Sequence, residues 1–319
     1  MTQPFSSELE VADDGAERFP DDQRASAPPP ETPWQQLRRR FLASRTATGA
    51  LVLLGTLILL ALLSPWISPQ DPYDLSSVTV VDAELPPMSH LSAGTLSLLG
   101  TDGSGRDLLS AILYGLRISI GVGVASALVA LAVGTFAGLA AAWSGGILDA
   151  VIMRVVDLQL SFPAILVAMM LLAALGQGAD KTLLALIIVQ WAYYARNVRA
   201  SAQVERRKEY VEAAHGQGLP AWRIMFGHVL PNCAGALLVT ATLQIGHAIT
   251  LEATMSFLGI GMPQTKPSLG LLIANGFEYL LSNKYWISVF PGVALVLLVA
   301  SINMIGDHLR VVLNPKLND

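Results

Sequence analysis

The stretch "TATGALVLLGTLILLALLSPW", Thr46 to Trp66, carries no charged residue along its whole length. A helix rises about 1.5 Å per residue, so a segment of this size crosses a hydrocarbon core of about 30 Å. Working outward, five further apolar segments follow, near 117–142, 151–175, 181–201, 234–262 and 285–307. The composition agrees with that reading. Of 319 residues, 53% are hydrophobic and only 14% are charged, with a mean hydropathy of +0.52. Soluble domains hold about a quarter charged residues and no such apolar runs. The expectation is an all-α polytopic membrane protein with six transmembrane helices.

Six is an even number, so both termini fall on one side. With the N-terminus inside, the inner face gathers Arg38, Arg39, Arg40, Arg45, Arg154, Arg196, Arg199, Arg206, Arg207, Lys208, Arg223, Arg310 and Lys316. The outer face then holds only Arg106, Arg117, Lys181, Lys266 and Lys284. Lysine and arginine accumulate on the cytoplasmic side of membrane proteins, which predicts N-in, C-in. Residues 1–33 are acidic and proline-containing, and read as a disordered cytoplasmic tail with no signal-peptide pattern. The segment 34–45, "WQQLRRRFLASR", is basic and interfacial, and 46–319 forms the membrane domain. The net charge of -4 comes from the tail and argues neither for nor against an anionic partner.

This topology gives two longer connections, an external one at 68–115 and a cytoplasmic one at 202–232. The second contains "EYVEAAHGQGLPAWRIMFGHVLPN", Glu209 to Asn232, a charged and glycine-punctuated insert between apolar neighbours. It reads as a helical hairpin. The first helix continues inward from the fourth span through His215 and ends near Gly216 and Gly218. Pro220 suits the first turn of a second helix. Trp222, Met225, Phe226 and Val229 share one face of that helix, and Pro231 is expected to block its continuation. An apolar face outside the bilayer needs a cover. Spacing alone leaves two candidates, the membrane or the bundle itself, and a cytosolic partner.

Ionisable residues at membrane depth default to a functional hypothesis. Asp157 and Ser161 lie at i and i+4 and could line a pathway, although Asp157 could instead pair with Arg154. Glu252 and Ser256 share a helical face at the same spacing. His247 reads as a packing residue. "GTFAG", Gly134–Gly138, has the small-xxx-small spacing of close helix packing, a character that Gly121 and Gly123 extend. "LGTDGSGRD" is glycine-rich but lacks the lysine-serine or lysine-threonine ending of a phosphate loop. There, Asp102, Arg106 and Asp107 read as caps of a short external helix. The single cysteine, Cys233, excludes an internal disulfide, and His90, His215, His228, His247 and His308 show no metal-ligand spacing. Neither a nucleophile–base arrangement nor a nucleic-acid motif is present in the sequence.

Several stretches resemble one family. "EAA" at Glu212, Ala213 and Ala214, then Gly218, then Leu230 and Pro231, has the spacing of the signature of bacterial ABC importer permeases. "LGTDGSGRDLLSAILYGLRISIGVG", "DLQLSFP", "EATMSFLGIG" and "NMIGDHLRVVLNPKL" are similar to the dipeptide/oligopeptide/nickel branch in its second-subunit form. The likeness runs from about residue 40 to the C-terminus. Two positions depart from it. His228 stands where isoleucine is usual, as in the "HVLPN" form of the peptide branch, and Leu269 stands where tryptophan is usual.

The resemblance implies a type I ABC importer permease fold in a bacterial inner membrane, with no catalytic residues of its own. It implies that the 202–232 hairpin couples to an ATPase through Glu212, Ala213, Ala214, Gly218, Leu230 and Pro231. It gives Glu252 a structural or gating role. The implied partners are a homologous second permease subunit, two cytosolic ATPase subunits that hold ATP and magnesium, and an extracytoplasmic substrate-binding protein. The expected function is translocation of dipeptides, oligopeptides or related small cargo. An ion-coupled secondary transporter or channel is the alternative, which Asp157 and Glu252 keep open. A membrane-anchored assembly protein would leave the hairpin spacing unexplained.

Overall fold

A computed structural model describes residues 33–74 and 78–313. Most of the expected tail, residues 1–32, and Lys316 lie outside the described residues. The elements in chain order are α1 (Pro33–Ala43), α2 (Arg45–Ile67), β1 (Ser89–His90), β2 (Leu96–Ser97), α3 (Leu108–Ser144), α4 (Gly146–Leu160), α5 (Ala164–Leu175), α6 (Ala179–Glu205), α7 (Glu209–Gly216), α8 (Ala221–Ile224), α9 (Leu230–Phe257), α10 (Leu269–Phe277) and α11 (Trp286–Leu313). Among the described residues, the antiparallel pair β1–β2 and an isolated bridge between Thr101 and Asp107 depart from an all-helical fold.

Among the described residues, four helices are long and apolar enough to cross a membrane: Arg45–Ile67, Leu108–Ser144, Ala221–Phe257 and Trp286–Leu313. The segment expected as one span at 151–175 is instead two helices, α4 and α5, bent by 88°. The bend sits at Ser161–Pro163. Pro163 has no N–H to donate and disfavours helical backbone at the residue before it, so the ladder stops there. Counting the bent pair as one span gives five. Helix α6 has 27 residues, and Asp180, Lys181, Arg196 and Arg199 lower its apolar character.

The core is built on α3 and α6, which form the most extensive helix pair. Gly134 faces the Tyr194 side chain and the Trp191 carbonyl, and Gly138 faces the Ala195 carbonyl. A methyl group at Gly138 would sit 2.5 Å from that oxygen. The small-xxx-small spacing thus packs α3 on α6, as its sequence predicts. Gly123 meets Ile249 of α9 in the same way, whereas Gly121 faces open space.

The segment 78–107 forms a cap at the start of α3. The cap expected of a short external helix belongs instead to the 37-residue helix that begins at Leu108, and the segment's own helical element is a three-residue 3-10 turn at Val80–Asp82. Asp107 is fully buried and caps α3, accepting from Ser110 N at 2.8 Å and Ser110 Oγ at 2.6 Å. Its other oxygen accepts from Ser97 Oγ at 2.6 Å, and its own N–H donates to Gln70 Oε1 at 2.7 Å. Asp82 accepts from Ser92 N and Ser92 Oγ, and Asp102 accepts from the amides of Ser104 and Arg106. Burial pushes the Asp102 carboxyl up against the lowering effect of those amides. Lys284 pairs with Glu84, and Arg106 reaches the Gln264 carbonyl, so the cap is fastened to the α9–α10 and α10–α11 turns.

Candidate functional site

Helix α6 stops at Glu205. A turn at Arg206–Lys208 separates it from α7, where the sequence suggests one continuous helix. Lys208 and Glu205 pair at 2.7 Å, and Tyr210 Oη donates to the other Glu205 oxygen at 2.8 Å. Burial acts to raise the Glu205 carboxyl, but the Lys208 and Tyr210 hydrogen bonds outweigh it and hold the group below its ordinary value. Tyr210 is pushed up to about 12, first by burial and then by its bond to Glu205. The phenol therefore remains a proton donor across the physiological range.

Helix α7 ends as expected. Gly218 adopts φ +72°, the left-handed backbone that reverses the chain, with nothing near its α-carbon. Pro220 then precedes α8. Beyond this point Pro231 does not stop the helix. Met225–Val229 form a π-turn, in which Leu230 N donates to the Met225 carbonyl five residues back. The extra residue widens the helix where the proline ring would otherwise meet the carbonyl of Gly227, a conflict worth about 3 kcal/mol in a regular helix. The result is one 37-residue run, Ala221–Phe257, from hairpin to core.

The π-turn also changes which side chains share a face. Val229 is buried and Met225 packs on the core, while Trp222 stays 61% and Phe226 38% exposed. The predicted Trp222–Met225–Phe226–Val229 face is thereby split. The EAA residues divide too. Glu212 and Ala213 are exposed, whereas Ala214 is buried with Val211 against Leu139, Ala142, Val198 and Ala202. Leu230 is half-buried and Pro231 exposed. The hairpin therefore has a buried inner side and an open tip carrying Glu212, Ala213, Gln217, Gly218 and Trp222. Arg223 lies over the Trp222 ring at 5.5 Å.

Residues outside the expected set fasten this hairpin to α3. Arg206 Nη1 donates to the carbonyls of Ala142 at 2.7 Å and Trp143 at 2.8 Å, capping the negative end of the α3 dipole. Its guanidinium lies 5.2 Å from the Trp143 ring centre. His215 of α7 stacks on the same ring at 5.4 Å, with 23° between planes. Phe136 of α3 meets Phe226 at 6.0 Å. Of these, only Trp143 carries a local signal in the sequence, an amphipathic ring at the end of a long apolar run.

The membrane-depth residues are separated. Asp157 pairs with Arg196 of α6, not with Arg154. About two turns earlier on the same helix, Asp149 pairs with Arg199 at 2.5 Å, so two ion pairs hold α4 against α6. Ser161 Oγ donates to the Asp157 backbone carbonyl at 2.6 Å, not to its carboxylate. At the bend, Val155, Leu158, Phe162, Leu166 and Met170 line an open groove of about 480 Å³. Glu252 is fully buried and accepts from Ser256 Oγ at 2.7 Å and Ser119 Oγ at 2.9 Å. It bridges α9 and α3, and it is not exposed to that groove. His247 contacts Tyr193 edge-on.

Residues 130–319 match the family model described as binding-protein-dependent transport system inner membrane component. The chain belongs to that family. Residues 32–87 match a second model, the N-terminal transmembrane domain of oligopeptide transport permease C. The permease chain is 41% identical over 279 residues to a putative peptide transport system permease protein of Brucella suis biovar 1, covering 88% of this chain and 90% of that one. It is 36% identical to a di/tripeptide transport system permease protein of Pseudomonas aeruginosa, covering 90% and 94%. It is 34% identical to a glutathione transport system permease protein of Pectobacterium atrosepticum, covering 90% and 92%. It is thus an inner-membrane permease component with several spanning helices, as the sequence resemblance implies.

Proposed function

We propose that this permease is one membrane-spanning half of an ATP-driven importer of dipeptides or oligopeptides, N-in and C-in, with six spans. The bent pair α4–α5 serves as the third span and α6 as the fourth, which leaves the hairpin at 206–229 on the cytosolic side and the 78–107 cap outside. A homologous permease subunit completes the pathway, two cytosolic ATPase subunits hold ATP and magnesium, and a substrate-binding protein delivers cargo from outside. The relatives named for peptides and glutathione support the cargo class.

The observation that carries the reading is the two-sidedness of the hairpin. Its inner side is locked into the core through Val211, Ala214, Ile224 and Val229. Its outer side leaves Trp222, Glu212 and Gly218 exposed among the described residues. Aromatic residues of this kind anchor protein interfaces. When the ATPase subunits close, a handle so rooted moves as a body and shifts the helices between two packings, a differential stabilisation of two states. An ion-coupled mechanism needs a carboxylate open to the pathway. Asp157 is paired with Arg196, and Glu252 is enclosed by serines.

The test uses a cysteine at Gln217. The native Cys233 is 2% exposed and stays silent. An impermeant maleimide should label Gln217→Cys in inverted vesicles but not in intact cells, and assembled ATPase should protect it. Labelling from outside intact cells would overturn the topology.

A further inference from the structure

The two ends of α3 are tied to the two regions that differ most in role. Its N-terminus is held in the cap by Asp107, which accepts from Ser97 and Ser110, and by Leu108 N donating to the Gly100 carbonyl at 2.9 Å. Its C-terminus is held to the hairpin by Arg206, by the stacking of Trp143 on His215, and by Phe136 against Phe226. Between these ties run 37 residues without a proline, about 55 Å of unbroken helix. Three of its glycines, at 123, 134 and 138, are sealed by side chains or backbone of α9 and α6, so it has no open hinge at those points.

We propose that Trp143 is a positioning residue for transport: it rivets the hairpin to α3, so that α3 carries hairpin displacement along its axis to the cap. This deepens the reading of the hairpin as the ATPase handle and rests on it. The physical argument is economy of motion. A hairpin attached only by the turn at Arg206–Lys208 could swing without moving the bundle. Packing of Val211, Ala214, Ile224 and Val229 roots the hairpin in the core, and the Trp143 ring adds a tie to the end of α3 itself, because His215 of α7 and Arg206 at the end of α6 both stack on it. A tie of this kind acts in both directions, since a coupling free energy between two sites is reciprocal. On this proposal, occupation of the cap by the binding protein acts on the ATPase through the same helix.

The experiment uses the full complex in proteoliposomes, with the companion binding protein added outside. Stimulation of ATP hydrolysis by liganded binding protein reports signal passing from cap to hairpin. A cross-link from Gln217→Cys to the ATPase reports assembly. Trp143→Ala should cut the stimulation at least fivefold with the cross-link intact, and Trp143→Phe, which keeps a stacking ring, should restore most of it. His215→Ala should show a smaller loss of the same kind. Undiminished stimulation in Trp143→Ala would overturn the inference, and so would loss of the cross-link in that variant, which would make Trp143 a folding residue only. A cross-link missing from the complex with native Trp143 would instead sink the handle reading beneath it.

Discussion

The cap and the hairpin sit at opposite ends of α3 and are attached to it by different physics. The cap is held by short hydrogen bonds to buried carboxylates: Asp107 is fully buried, Asp82 and Asp102 nearly so. Such bonds are directional, and a buried acceptor left without its donor costs about 1–3 kcal/mol. That arrangement holds one shape. The hairpin is held by stacked rings and apolar packing, and it leaves a tryptophan in the open. Those contacts fix a body in place while leaving its far side free to be gripped. One region spends its polar groups internally, and the other keeps them outward.

Breaking the cap should have the largest effect on stability. Asp107→Ala removes the α3 cap and the acceptor of Ser110 Oγ, leaving Ser97 Oγ only the Gly100 carbonyl. Its expected cost is about 2–4 kcal/mol, visible as a lowered Tm of the detergent-solubilised chain. A loss below about 0.5 kcal/mol would erase the contrast. At Gly218, a valine must adopt the left-handed backbone, so Gly218→Val should cost about 1–2 kcal/mol and misdirect the tip. Uptake should fall at least tenfold in that variant with membrane insertion intact. Trp222→Ala and Glu212→Ala sharpen the comparison from the other side. Both side chains are exposed, so each change should move stability by no more than about 0.5 kcal/mol. Each should nevertheless weaken ATPase association measured on the solubilised complex, Trp222→Ala by about tenfold or more.

The smallest expected effect is of pH on the hairpin base. Glu205 titrates below its ordinary value, so its contribution is present above the unfolded carboxylate value and is lost as pH falls through the lowered one. Amide protection in α7, corrected for intrinsic exchange, should drop as pH falls below about 4. In Glu205→Gln that acid step should be absent. A step of equal size in both would assign it to another group.

Much of this was legible in the sequence because membrane solvent imposes simple rules. An uncharged run such as Thr46–Trp66 has few options, and the glycines at 134 and 138 announce close packing by their spacing alone. Gly218 announced a left-handed turn for the same local reason. The misreadings were all non-local. Pro231 looked like a helix stop, but a π-turn upstream absorbed it. Asp157 looked like a partner for Arg154, one turn away on its own helix, and instead met Arg196 across the α4–α6 contact. Within the signature, the fold buries Ala214 while leaving Glu212 and Ala213 exposed, a division the sequence does not announce.

The sequence by itself determined the apolar helical character of the chain, the family, and the existence of a hairpin, because hydropathy, charge and glycine spacing act over a few residues. Only the tertiary structure decided the 88° bend in the expected third span, which face of the hairpin is open, and that Trp143 gathers Arg206 and His215 from two other elements. Those outcomes depend on which helices lie side by side, and that choice is made by packing over the whole chain.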